Sequence, residues 1–373
     1  MLDNTNTKVQ LEGKVRIPSG CAISGIFAQD GELFSGRDII TSIAVMHDRS
    51  NGLGGGFAGY GIYPKHKDKY AIHMFYDSED DRGKAERRIN KYFSYVLSEQ
   101  IPTQKHPNIK DAPLIYRYFA EPLTEQLEKA QIDEREYVAR FALRVNADED
   151  ELKGAHVISC GKNMGIFKAN GFPEDVGEFY KLDEYKGYCW TAHGRYPTNT
   201  PGWWGGAHPF GLLDYSVVHN GEISSYDANR RYLEMFGYTC SLQTDTEAIT
   251  YIVDYLNRKQ GLELEDVAKV MAAPFWSTIE RMDEKEKAAY TFLRRRYGNL
   301  LVTGPFSIML GFTGGLMVLG DRLKLRSMVC GHQQNKFYAA SEECAIRAIC
   351  PEIQGIHSPR SGEAVIVRLE ENK

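Results

Sequence analysis

A cysteine at position 21, preceded by Ser19-Gly20 and opening the run Cys21-Ala22-Ile23-Ser24-Gly25-Ile26, sets the tightest condition on this chain. Cysteine attacks as its thiolate, and a free thiol with a pKa of about 8.5 is only slightly ionised at neutral pH, so something nearby must take the proton. The α-amino group of the same residue, at roughly 7.7 to 8.0, is well matched to that task, whereas a peptide nitrogen has no such basicity. Cys21 can use its own amine only after the Gly20–Cys21 bond is broken. Gly20 suits that step, because a residue without Cβ tolerates the unusual backbone angles that bring its carbonyl onto the sulfur. Residues 1–20 then read as a propeptide, with Gly20 and Cys21 as the processing pair. The plainer alternative makes Cys21 one buried thiol among seven cysteines, since free cysteine is usually a core residue.

Several downstream runs carry polar chemistry, and each has a structural reading beside the functional one. Asn220-Gly221 after Tyr215, Val217 and Val218 is a strong hairpin-turn signal. Thr244 and Glu247 form a capping box ahead of Ile249, Ile252, Val253 and Leu256, so Asp245 could simply favour a helix N-terminus. Arg195 alone would be a surface ion pair. His193, His208 and His219 stand at intervals that fit no common ligand motif, and no CxxC accompanies them, so no metal site is expected. Gly54 to Gly59 satisfies GxGxxG, but a dinucleotide loop needs a strand before it and a helix after it. Here helical spacing at Ile39, Ile40, Ile43 and Met46 comes first, and the strand-like runs Tyr60–Tyr63 and Tyr70–Phe75 follow.

The runs gain meaning in order. Cys21-Ala22-Ile23-Ser24-Gly25-Ile26, Arg195-Tyr196-Pro197-Thr198-Asn199-Thr200, His208-Pro209-Phe210, His219-Asn220-Gly221-Glu222-Ile223 and Thr244-Asp245-Thr246-Glu247 resemble the successive motifs of class II glutamine amidotransferases, most closely the amidotransferase part of glutamate synthase. Arg195 and Asn220, and again Asn220 and Asp245, are 25 residues apart, as that pattern expects. His47 to Gly61 resembles the family's His-Arg-Gly segment and the glycine-rich strand after it, but Asp48 interrupts the His-Arg pair, and Arg49 is given no role. The resemblance implies that Cys21 attacks the side-chain amide of L-glutamine, releasing ammonia and leaving a thioester that water hydrolyses. It implies an oxyanion hole from the Asn220 side-chain NH2 and the Gly221 backbone N–H. Arg195 would hold the substrate carboxylate with its planar fork, Asp245 would accept the ammonium group, and Thr198 would join them in substrate binding.

Composition and pattern frame the fold. With 373 residues and 42% hydrophobic content the chain has ample material for a core. No run approaches the roughly 18 apolar residues of a membrane helix. The first twenty residues lack the apolar stretch of a secretion signal. A net charge of -5 leaves no basic footprint for nucleic acid. Seven scattered cysteines fit a reducing, cytoplasmic setting better than a disulfide framework. The expected domain runs from 21 to 373, with insertions at about 65–155 and 262–299. The first insertion reads as a small α+β subdomain: a strand at Tyr70–Tyr76, a helix with Ile89, Tyr92, Phe93, Val96 and Leu97 on one face, and strands at Leu114–Phe119 and Tyr137–Val145. The second reads as charged and helical. Phe306–Phe312 and Leu316–Leu319 around Gly314-Gly315 read as a hairpin. Asp321 to Arg326 and Ala340-Ser341-Glu342 resemble later family signals, with Lys324 and Ser327 departing from the pattern. The fold class expected from the resemblance is α+β, the four-layer αββα sandwich of N-terminal nucleophile hydrolases.

After Ala364–Val367 no room remains for a domain that consumes ammonia, so the expectation is a separate synthase subunit. By the resemblance it would be that of glutamate synthase, with FMN and iron-sulfur clusters on the partner, no cofactor in this chain, and 2-oxoglutarate as final acceptor. Two alternatives stand beside this: a related hydrolase of some other amide, which Arg195 with Asp245 argues against, and a non-catalytic regulatory subunit that retains its leader. Intact mass separates the last from the first. The mature protein is expected to have lost residues 1–20, and a chain that still starts at Met1 yet turns over glutamine normally would refute the amine-as-base chemistry.

Overall fold

Runs of small and apolar residues build the central strands. The computed structural model describes residues 20–147, 152–196 and 202–370. Its first sheet has seven antiparallel strands in the order Gln354–His357 (β15), Val329–Gln333 (β13), Lys336–Ala340 (β14), Ala22–Ala28 (β1), Cys189–Gly194 (β8), Gly55–Tyr60 (β2) and Met164–Ala169 (β7). Every residue of β1 is buried, as a strand covered on both faces requires. The second sheet runs Phe210–Leu212 (β9), Tyr215–Gly221 (β10), Phe306–Phe312 (β11), Gly315–Gly320 (β12) and Ala364–Arg368 (β16), again antiparallel.

The two sheets stack face to face. Side-chain alternation along the second sheet shows how: Val218, Met309, Leu316 and Val318 join the core shared with β1 and β8, while Val217, Ile308, Leu310, Met317 and Leu319 point the other way. The buried Tyr60 hydroxyl bonds Ser216 Oγ across the gap at 2.7 Å. Helices Arg37–Ala44 (α1) and Pro173–Phe179 (α4) cover the outer face of the first sheet. Tyr226–Glu234 (α5) and Asp245–Val253 (α6) lie outside the second, where Ile249, Ile252 and Val253 meet its outward side chains. The result is the αββα sandwich, an α+β fold.

The segment between β2 and β7 contributes a third sheet, ordered Phe93–Gln100 (β4), Leu114–Pro122 (β5), Tyr70–Tyr76 (β3) and Ala155–Lys162 (β6), with helices Glu79–Tyr92 (α2) and Glu134–Asn146 (α3). Its strand β3 feeds both cores: Tyr70, Ile72, Met74 and Tyr76 enter one, Ala71 and Phe75 the other.

Three local expectations change. Tyr137–Val145 is helix α3, not strand. Asp133 caps it by accepting from Glu136 N–H at 2.8 Å, and Val138, Phe141, Ala142 and Val145 are buried at helical spacing, which outweighs the β-branched and aromatic content. The helix that was to carry Ile89 through Leu97 stops at Tyr92, and Phe93 opens β4, with Phe93 buried and Val96 exposed. Asn220-Gly221 makes no hairpin turn: both residues pair with β11, opposite Ser307 and Phe306. The glycine-rich run is a strand paired on both sides, and the charged stretch near 262–299 holds the helices Leu264–Met271 and Glu284–Tyr297 (α7 and α8).

One ionic network ties the third sheet's helix to the sandwich. Arg258, in the turns that extend α6, forks onto both oxygens of fully buried Asp254 at 2.7 Å and reaches Glu136 of α3 at 2.8 Å, while Tyr238 donates to Asp254 at 2.6 Å. Removing one partner leaves buried carboxylates uncompensated, a change of about 3 kcal/mol or more. Arg258→Met is therefore expected to lower unfolding free energy by about 3 kcal/mol, read from urea denaturation followed by circular dichroism.

Candidate active site

Strand register places the first polar residues together. Ala22 pairs with Gly194, so Cys21, just ahead of β1, lies beside Arg195, just beyond β8. The backbone N–H of Tyr196 donates to the Cys21 sulfur at 3.4 Å. Gly20 sits at φ +138°, a conformation that side chains rarely adopt. Burial pushes the Cys21 thiol up from its ordinary value; the Tyr196 N–H and the Arg195 and Arg326 guanidiniums draw it down, and Asp245 opposes them. With its amine still in a peptide bond, this thiol is poorly ionised.

Asn220 and Gly221 end β10, beneath the start of β1. The Asn220 side chain donates to Ser341 Oγ at 3.3 Å, and the same hydroxyl accepts from Ile23 N–H at 3.1 Å, while Ser341 N–H returns to Ile23 O at 2.9 Å. One serine thus couples β1, the strand that follows Cys21, to Asn220. Gly221 lies at φ +149°, and a Cβ there would stand 2.1 Å from the Pro305 carbonyl oxygen. No other residue fits without moving the β10–β11 pair.

Thr244 caps α6 by accepting from Glu247 N–H at 3.2 Å, which puts Asp245 in the first turn. The capping box is only half formed. Glu247 does not reach back to the cap but accepts from Leu242 N–H at 2.9 Å and Tyr251 hydroxyl at 3.0 Å. Asp245 accepts from Ile223 N–H at 3.1 Å and from Thr246 hydroxyl at 3.2 Å, and lies 3.5 Å from His219 Nδ1. Burial would raise its carboxyl, but His219 and these donors prevail and hold it below the ordinary range, so it is a carboxylate. The buried Arg195 guanidinium is drawn down by burial and up by the nearby Cys21 and Asp245. A cation and an anion therefore share one recess with the sulfur.

Below them lies a buried layer that sequence spacing did not foresee. The His193 and His208 rings are 4.0 Å apart, His193 Nε2 meets the His219 carbonyl at 2.9 Å, and Thr246 hydroxyl links His208 and His219 at 3.3 and 3.1 Å. Burial lowers His193 to about 3 and depresses His208 well below its usual value, so both rings are neutral. Among the described residues no group of three or more His, Cys, Asp or Glu is arranged to hold a metal ion. Arg49, given no role from sequence, donates from Nε to the Cys21 carbonyl at 3.2 Å and pairs with Glu342 at 2.7 Å. Ser341 was likewise missed as a site residue, although the Ala340-Ser341-Glu342 signal marked its neighbourhood. Thr198 falls in 197–201, outside the described residues.

Comparison with known proteins decides the family. The sequence profile of the class-II glutamine amidotransferases matches residues 58–353. This chain belongs to that family. An uncharacterized protein of Archaeoglobus fulgidus is 48% identical over 355 residues, covering 94% of this chain and 92% of its own. The amidophosphoribosyltransferase of Methanocaldococcus jannaschii is 24% identical over 230 residues, 60% of this chain and 42% of its own. Among solved structures, glutamine phosphoribosylpyrophosphate amidotransferase from B. subtilis, complexed with ADP and GMP, matches with TM-score 0.45 and 13% identity. That match covers 93% of this chain and 47% of the other, so the chain spans about half of that protein's length. Within this class-II chain, Arg195, Asn220, Gly221 and Asp245 fall inside the profile match, and Cys21 lies ahead of it.

Gly221 gives the sharpest structural test of the recess. Gly221→Ala must displace either the Pro305 carbonyl or the end of β10, and is expected to lower the unfolding midpoint together with glutamine hydrolysis; an alanine variant with wild-type values in both measurements would show that the close approach is not required.

Proposed function

We propose that this chain is the glutaminase component of an ammonia-transferring enzyme, and that Cys21, freed at its amine by loss of residues 1–20, is the nucleophile. The observation that carries this reading is the convergence of Arg195, Asp245 and the Tyr196 N–H on the Cys21 sulfur, with Asn220 tied to the same strand through Ser341. A cation and an anion held apart in one recess read the carboxylate and ammonium of an amino acid, and family membership makes that amino acid L-glutamine. Thr198, in the segment after Arg195, would add a further substrate contact.

The steps follow from the groups present. The freed amine takes the thiol proton as the sulfur bonds to the side-chain amide carbon of glutamine. The oxyanion that forms is held by Asn220 Nδ2 and the Gly221 N–H. The amine passes its proton to the leaving nitrogen, the carbon–nitrogen bond breaks and ammonia departs. Water then cleaves the thioester and restores the thiol, giving glutamate.

The ammonia would pass to a separate synthase subunit. The likeness of the Arg195, Asn220 and Asp245 motifs to glutamate synthase supports that enzyme's synthase subunit, bearing FMN and iron-sulfur clusters, as the acceptor, and 2-oxoglutarate as what it aminates. Among the described residues no helix is long and apolar enough to cross a membrane.

A glutaminase assay tests the site. Cys21→Ala is expected to abolish glutamine hydrolysis while retaining the wild-type circular dichroism spectrum, and Asn220→Ala to lower kcat by about 10² to 10³. Unchanged hydrolysis in Cys21→Ala would remove the nucleophile assignment.

A further inference from the structure

Arg326, the last residue of the Asp321-to-Arg326 run and given no role from sequence, stands next to the Gly20–Cys21 junction. Its Nη1 lies 3.8 Å from where a Gly20 Cβ would be, on the same side as the Arg49 Nη2 at 3.7 Å. Its Nε is buried and has no hydrogen-bond partner. Arg49 is neutralised by Glu342 at 2.7 Å; Arg326 has no ion pair among the described residues. Of the two cations at the junction, Arg326 is therefore the one whose charge is uncompensated.

The loop that presents Arg326 is rigidly held. Asp321, 2% exposed at the end of β12, accepts from Leu323 N–H at 2.8 Å, Leu325 N–H at 2.9 Å and Phe306 N–H at 3.3 Å, and its own N–H donates to Phe306 O at 2.9 Å. Phe306 is the residue paired with Gly221. A single buried carboxylate thus fixes both the Arg326 loop and the strand that backs the oxyanion glycine.

Resting on the glutaminase reading above, we propose that Arg326 is a positioning residue for catalysis: its uncompensated guanidinium, carried beside the Gly20–Cys21 junction on the loop that Asp321 fixes, holds the freed Cys21 amine in its unprotonated form so that it can accept the thiol proton. A neighbouring positive charge disfavours the ammonium form, so more of the amine is free at neutral pH, and it favours the thiolate, which offsets the weaker basicity of that amine in the transfer itself. The other charged groups facing this point are Arg49 with Glu342, Arg195 and Asp245. The first two offset each other in their ion pair, and the last two act on Cys21 with opposite signs.

The test is the pH dependence of glutaminase kcat/KM in Arg326→Gln and Arg326→Lys, with intact mass confirming loss of residues 1–20 in each. Without the guanidinium the amine binds its proton more tightly, so the acid limb of the Gln variant is expected to move up by about half to one pH unit. Arg326→Lys keeps the charge and is expected to keep the wild-type limb. The same displacement should appear in the pH dependence of Cys21 alkylation by iodoacetamide, which needs no substrate. A Gln variant that fails to process is measured after expression from an initiator Met placed directly before Cys21. A Gln variant with the wild-type limb, or Gln and Lys variants displaced alike, overturns the role of the charge. Wild-type protein that keeps residues 1–20 and still hydrolyses glutamine overturns instead the reading beneath it, and this inference with it.

Discussion

The register of β1 between β8 and β14 is the constraint on which the rest of the site depends. Ala22 opposite Gly194 brings Arg195 to the sulfur, and Ser24 opposite Ala340 brings Ser341 to Ile23. A slip of one residue would invert every side chain of a strand that is buried along its whole length, so the pairing is strongly specified. The site is thereby set by core packing: the residues that fix the place of Cys21 are Ile23, Ile26 and Phe27, each wholly buried, none of which touches substrate in the proposed reaction.

Electrostatics then works on that fixed frame. Burial alone would leave the thiol protonated, and the cations near it only partly reverse the effect, which is why the proposed reaction calls on the amine of the same residue as base rather than on a stronger field. The layer beneath Arg195 and Asp245 is kept nearly neutral. His193 and His208 are uncharged, while burial holds Lys168 down to about 7 and Glu247 up to about 7, so that each is close to shedding its charge at neutral pH. Lys168 Nζ instead donates to the Gly205 carbonyl at 2.8 Å and lies over the Phe210 ring. With few full charges below, the carboxylate of Asp245 and the guanidinium of Arg195 remain the strong features that a zwitterionic substrate would meet.

Much of this was legible because the informative residues are those that make direct contacts at fixed backbone positions. Cys21 before an apolar strand, Asn220-Gly221 closing one, and Asp245 in the first turn of a helix are each anchored to an element end that the sequence pattern marks. The β10 and β11 strands and the β11–β12 hairpin were readable for the same reason. Where reading failed, local pattern and tertiary environment disagreed: Tyr137–Val145 carries strand-forming residues but meets the third sheet along one helical face, and Asn220-Gly221 has turn chemistry but is held straight by β11. His193, His208 and His219 looked unrelated by spacing, and only the stacking of β8 over β10 makes them neighbours of Thr246.

The least legible residues act through the main chain. Arg49 holds the Cys21 carbonyl and Ser341 holds the Ile23 amide; a main-chain partner leaves no trace in the partner's side-chain identity. Their sequence separations, 28 and 318 residues, make the contacts a consequence of sheet order alone. Asp321 is of the same kind: its side-chain acceptors serve the amides of Phe306, Leu323 and Leu325. A buried carboxylate surrounded by backbone donors reads from sequence as a turn-forming aspartate, and its wider effect emerges only when one of those amides proves to belong to the strand behind Gly221. The second ring of this site is therefore written in geometry, and its members become visible only once the strands that they staple together have been placed.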